Sequence, residues 1–186
     1  MSERKISCSR DVVSARLHSD GADLLCALKV ENMAKRRQQW TTGDHFIVPL
    51  RNGSFAQGQI VIPAADAMNS VVCVFSSNVY SSKPELLHTP KPSEAIAILF
   101  VTRDFLDSGR WEVLNNEQNL WSAECIGFDE FEKKGFVGAK IIGSANVEAL
   151  LNAFNGLEAW NAFHDPSYLD RLLLNPDRKP SWVLLV

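Results

Sequence analysis

The chain has 186 residues, 46% of them hydrophobic and 22% charged, with a formal net charge of −3. That balance excludes a disordered chain and suits one globular domain, 1–186, with a single well-buried core. It also argues against a general nucleic-acid binder, whose affinity rests on Lys and Arg facing phosphates.

The charge is unevenly spread. Residues 1–43 carry eight Lys or Arg against five Asp or Glu, and residues 44–186 carry eleven against seventeen. The acidic part is therefore the β-rich body, and an acidic body suits a basic partner. The first ten residues, MSERKISCSR, are too polar for a signal peptide. The longest apolar run, Ala95 to Val101, is too short to cross a bilayer. A cytoplasmic protein with no membrane partner is expected.

An N-terminal helical extension, 1–39, is expected ahead of the body, 40–186. Asp11–His18 reads as a short helix, and Asp20–Arg37 as a longer one with Leu24, Leu25, Leu28 and Met33 on its apolar face. A hairpin follows over Gly43–Ile62. Its apolar runs flank Arg51-Asn52-Gly53, and the loop length sets the register. A two-residue loop puts Pro49, which lacks an N–H, in a hydrogen-bonded pair. A three-residue loop avoids this and sets Phe46 opposite Gly58, where a missing side chain leaves room for the ring. It also gathers Phe46, Val48 and Leu50 on one face and His45, Gln57 and Gln59 on the other.

Val71–Phe75 reads as a third strand. Ser76–Ser93, with three prolines, reads as a long surface loop. Ala95–Val101 shows no polar alternation and so fits a strand buried on both faces. Asp104–Ser108 makes one turn closed by Gly109, and Arg110–Leu114 resumes as a strand. Ser122–Phe128 and Val137–Ile142 are expected as two more strands joined by the charged segment Asp129–Gly135. A helix spans Asn146–Asn155, with Val147, Leu150, Leu151 and Phe154 at helical spacing. Asp165-Pro166 opens a last helix, and Trp182–Val186 is expected as a closing strand tied into the sheet. The class is α+β: a central, mostly antiparallel twisted sheet, open or partly closed into a barrel, with an N-terminal helix and C-terminal helices packed around it.

Chemistry is sparse. The four cysteines (Cys8, Cys26, Cys73, Cys125) form no C-x-x-C pair, so neither zinc nor redox work is indicated. There is no nucleophile elbow, phosphate loop, H-E-x-x-H or dinucleotide fingerprint, and no cofactor is implied. His45, with Gln57 and Gln59 on its face, reads first as a hydrogen-bonded surface histidine, and a small-ligand or catalytic pocket there is the alternative. The densest acidic cluster is Asp129, Glu130 and Glu132, interleaved with Phe131; Asp104 and Asp107 form a second acidic patch. Either suits a basic protein surface, with the aromatic ring as an anchor.

Three pieces of the sequence stand in a familiar order. They are Gly43-Asp44-x-Phe46-x-x-Pro49-Leu50 with Gly53 and Gly58; Gly109-x-Trp111 after an apolar strand; and the run from Gly143 to Pro176. Together they resemble the immunity protein 26 family of bacterial polymorphic toxin systems, over roughly Trp40 to the end. The resemblance implies a non-enzymatic protein, mostly β with flanking helices, that binds a cognate toxin and blocks it. Many such toxins are nucleases. It supplies no catalytic residues.

Overall fold

The computed structural model of the protein describes residues 37–63, 68–122, 124 and 127–186. The helices expected over Asp11–His18 and Asp20–Arg37 lie, up to residue 36, outside that set, as do Cys8, Cys26 and Cys125.

The hairpin has the expected register. β1 (Asp44–Pro49) and β2 (Phe55–Ile62) pair antiparallel, with Phe46 opposite Gly58 and Pro49 opposite Phe55. The Leu50 N–H donates to the Ser54 carbonyl at 2.8 Å and closes a three-residue loop, in which Gly53 is left-handed at φ 83°. Because Leu50 and Ser54 are bonded, Pro49 falls in the next, non-bonded pair, where its absent N–H leaves no gap. The outer side of Pro49 is also clear, since pairing with the strand beyond reaches only to Ile47.

Four strands complete the sheet: β3 (Ser70–Tyr80), β4 (Ala95–Thr102), β5 (Glu112–Asn116) and β6 (Ile141–Ile142). Their order is β5-β1-β2-β3-β4-β6, antiparallel throughout except where β6 runs parallel to β4. The end strands do not meet, so the sheet is open and the barrel alternative falls. Among the described residues three α-helices accompany it: α1 (Asp104–Asp107), α2 (Phe128–Lys133) and α3 (Ser144–Phe154).

Several boundaries differ from expectation. β3 runs on to Tyr80, because its last residues pair with Phe55 and Ala56 of β2. Phe128 opens α2 and ends no strand, so most of the charged connection is helical. The strand expected over Val137–Ile142 shrinks to two residues. Phe136 and Gly138 are both left-handed there, which extended chain forbids. The last helix is only a 3-10 turn, Leu169–Leu172. Trp182–Val186 makes an isolated bridge, Ala159 to Leu184, outside the sheet. Within β4, Ile98 and Leu99 are half-buried and not sealed on both faces.

Alternation sorts the strands' side chains onto two faces. Phe46, Val48, Ala56, Ile60, Val71, Cys73 and Phe75 point to the main core, closed by Val147, Leu150, Leu151 and Phe154 of α3 together with Trp160 and Leu169. On the opposite face Val61, Val72, Val74 and Phe100 meet Trp121 and Phe128.

Candidate functional site

The motif residues converge on one aromatic stack. The rings of Phe46 and Trp111 lie parallel, with centroids 5.4 Å apart, and Phe75 meets both edge-on. A Cβ on Gly58 would sit 2.3 Å from Phe46 Cζ, so only glycine admits this ring. The Trp111 indole N–H donates to Glu148 Oε1 of α3 at 3.1 Å, and Arg110 grips the same carboxylate with two bonds of 2.7 and 2.6 Å. Asp44 accepts from the Thr41 N–H at 2.6 Å and from Asn116 Nδ2 at 2.7 Å, fixing the start of β1 against the end of β5. These residues build the fold.

Behind the stack, on the other face of the same two strands, His45, Gln57 and Gln59 are all fully buried. Gln57 Nε2 lies 3.4 Å from His45 Nδ1, and Gln59 Nε2 lies 3.2 Å from His45 Nε2. The cover is the segment after β3. Gln57 Nε2 donates to the His88 carbonyl at 2.5 Å, Gln59 Nε2 to Thr89 Oγ1 at 3.3 Å, and Tyr80 Oη to Gln57 Oε1 at 3.3 Å. Asn115 of β5 exchanges two 2.9 Å bonds with the backbone of Leu87, whose side chain is fully buried. Glu117 accepts the Thr89 N–H at 3.0 Å and stands 3.0 Å from His88 Nδ1.

Burial pushes the His45 imidazole below its ordinary value of 6.5, and the opposing pull of Glu117, 3.9 Å away, is the weaker effect. The ring is therefore neutral, with one donor and one acceptor to share between two amides. Bonds from the Thr89 N–H and from His88 hold the Glu117 carboxyl below its usual range. Gln59 Oε1 is buried with no partner among the described residues. His45, Gln57 and Gln59 thus form neither a surface patch nor an open pocket but a closed polar seam, which ties residues 80–89 to the sheet.

The two acidic patches differ in what they do. Asp104 Oδ1 accepts from Thr102 Oγ1 at 2.5 Å and Ser144 Oγ at 2.8 Å, joining the end of β4 to the start of α3. Burial works against its ionisation, yet these bonds hold its carboxyl below its ordinary value. Asp107 accepts the Trp40 indole N–H at 2.9 Å and lies 3.5 Å from Arg103. Both carboxylates are occupied. On α2, by contrast, Asp129, Glu130 and Glu132 are exposed, and no ion pair engages them among the described residues. Phe131 between them is half-buried, its ring edge-on to Phe100 with centroids 5.8 Å apart.

A family model described as immunity protein 26 matches residues 41–135, just over half of the chain. The chain belongs to the immunity protein 26 family. No curated protein and no solved structure matches it. The matched span runs from the threonine that binds Asp44 to the left-handed Gly135 that follows α2. It takes in β1 to β5 and α2, and it leaves out β6, α3 and the Gly143–Pro176 run.

For an immunity protein 26 member, the division of labour is informative. Gly43, Asp44, Phe46, Gly58 and Trp111 serve packing and hydrogen bonding, so they state the fold and are silent on the target. Among the described residues no group of three His, Cys, Asp or Glu could hold a metal ion, and no helix is long and apolar enough to cross a membrane. Sequence reasoning missed the seam's other half, Tyr80, Leu87, Thr89, Asn115 and Glu117. No periodicity marks a loop that lies down on a sheet. The Ser76–Ser93 segment offered one signal, Leu86-Leu87 amid polar residues.

Proposed function

We propose that this protein neutralises a cognate bacterial toxin by stoichiometric protein–protein binding, as part of a polymorphic toxin system, and that the toxin presents a basic surface of the kind nucleases carry. Family membership supports the general role. The observation that carries the finer reading is the contrast between bound and exposed carboxylates: Asp104 and Asp107 hold the fold together, whereas Asp129, Glu130 and Glu132 are exposed and have no ion pair among the described residues.

Charge complementarity at α2 speeds encounter, and Phe131 supplies an apolar contact next to the charges. A standard interface buries roughly 800 Å² on each partner, so α2 is one part of a wider contact. Inhibition of this type needs no chemistry from the immunity protein, in keeping with a His45 seam that faces only its own cover.

Co-expression tests it. Cells producing the toxin encoded beside this gene are expected to survive when this chain is present. Reversal of all three α2 carboxylates to lysine should abolish protection while leaving the circular-dichroism spectrum unchanged. Absence of rescue by the natural chain overturns the toxin reading. Full rescue by the triple variant overturns the assignment to α2.

A further inference from the structure

Among the described residues, β4 carries an unfilled length on its outer edge. At one end the Leu174 N–H donates to the Ile96 carbonyl at 2.8 Å. At the other, Phe100 and Val101 pair in parallel with Ile141 and Ile142. A strand residue sends its N–H and C=O to the same side, and the side alternates along the chain. The Ser77 N–H donates to the Glu94 carbonyl at 2.8 Å, so by alternation along β3 Phe75, Cys73 and Val71 also face β4. Their partners Ala97, Leu99 and Val101 face back to β3, past a register shift that leaves Ile96 as an extra residue. Ile98, between Ala97 and Leu99, therefore presents both its groups outward. Neither the β6 register nor the Leu174 bond reaches it. The gap from Ile96 to Phe100 is about 13 Å long, enough for three or four extended residues.

Beside this gap lies a cavity of about 240 Å³. Its walls are apolar, with Ile98, Phe100, Ile142, Leu172 and Leu174 among them, and two cations, Lys140 and Arg171, line it. Among the described residues no carboxylate lines it. Arg171 is already paired with Asp165 at 2.6 Å, whereas Lys140 is exposed and has no ion pair among the described residues.

We propose that the β4 edge at Ile98 is a docking slot for an extended segment of a protein partner, one with a bulky apolar side chain beside a carboxylate. The outward amide and carbonyl of Ile98 specify an extended backbone, as in strand addition to a sheet edge. The cavity takes the apolar side chain, and the unpaired Lys140 ammonium selects the neighbouring acid. This slot makes no use of the α2 carboxylates, and its test is independent of toxin protection.

The probe is an acetylated, amidated peptide of valine, leucine, valine and aspartate, titrated into the 15N-labelled full chain. Saturable shifts are expected at the Ile98 amide and at the residues flanking the cavity. Methylating the peptide's backbone nitrogens should abolish them. Replacing its aspartate by lysine should weaken binding roughly two- to fivefold, the range of an exposed ion pair. The variant Lys140→Glu should reverse that preference. No shift at Ile98 up to millimolar peptide overturns the proposal and leaves Lys140 as a charge that merely blunts the edge. Equal binding of the N-methylated peptide overturns the strand-addition geometry. Concentration-dependent dimerisation that shifts Ile98 without peptide assigns the slot to a second copy and overturns it too.

Discussion

The two faces of the β1–β2 hairpin are built from alternate residues of the same strands and are closed in opposite ways. One face carries Phe46, Val48, Ala56 and Ile60 and is sealed by apolar contact under α3. The other carries His45, Gln57 and Gln59, equally buried, and is sealed by hydrogen bonds to a loop. Apolar closure depends on volume and shape. Polar closure depends on every group finding a partner, because each unmet donor or acceptor costs its full desolvation.

The largest way to break the comparison is through the aromatic stack. Trp111→Ala should lower unfolding free energy by about 4 kcal/mol, since it opens a cavity and strands Glu148 without its indole donor. Urea denaturation measures this, and a loss no larger than that of an exposed tryptophan would show that the stack is not the keystone. Next comes overpacking. Gly58→Ala should cost about 2 kcal/mol by driving a methyl into the Phe46 ring, and pairing it with Phe46→Leu should recover part of that loss in the same assay.

On the polar face the two glutamines should part company. Gln57→Leu should cost about 2 kcal/mol, because it removes the bond to the His88 carbonyl and unpairs Tyr80. Gln59→Leu should cost about half as much, because its Oε1 has no partner among the described residues to lose. Proteolysis within residues 81–94 should accelerate in the first variant. Equal costs would mean that the seam is held elsewhere.

The smallest effect is a pH dependence. His45 is held below its ordinary value of 6.5 by burial, so the unfolded chain binds its proton first as pH falls. Stability is therefore fully present above about pH 6.5 and declines as pH drops from there towards the lower folded value. Glu117, itself held low, adds its own decline only below the usual carboxylate range. Comparing denaturation midpoints at pH 7.5 and 5.5 in the natural chain and in His45→Gln isolates the histidine. An unchanged difference between the two proteins would exclude it.

The apolar face was legible because its logic is local. Pro49 forbids one register, the three-residue loop supplies the other, and Gly58 falls where Phe46 needs space. The polar face was not legible. Alternation says which way a side chain points but not what lies over it, so His45, Gln57 and Gln59 looked like a wetted surface. The prolines of the 84–92 segment read as surface loop for the same reason, although Leu87 is fully buried. α2 was missed because its charges read as a connection. Phe128 and Phe131, three residues apart, were the helical signal beneath them. At the six candidate positions the sequence could not separate the bound carboxylates from the exposed ones, since that depends in large part on Ser144 and Trp40 arriving from afar.

The pairing of Asp44 with Asn116 joins the earliest strand of the sheet to one made much later. A ribosome must deliver every residue in between before β1 acquires its outer neighbour and Trp111 slides over Phe46. Until then the nascent hairpin exposes a bare aromatic ring and an unpaired edge, the kind of surface that chaperones hold. Such long-range closure predicts a slow folder for its size, whose tempo is governed by the arrival of a single tryptophan.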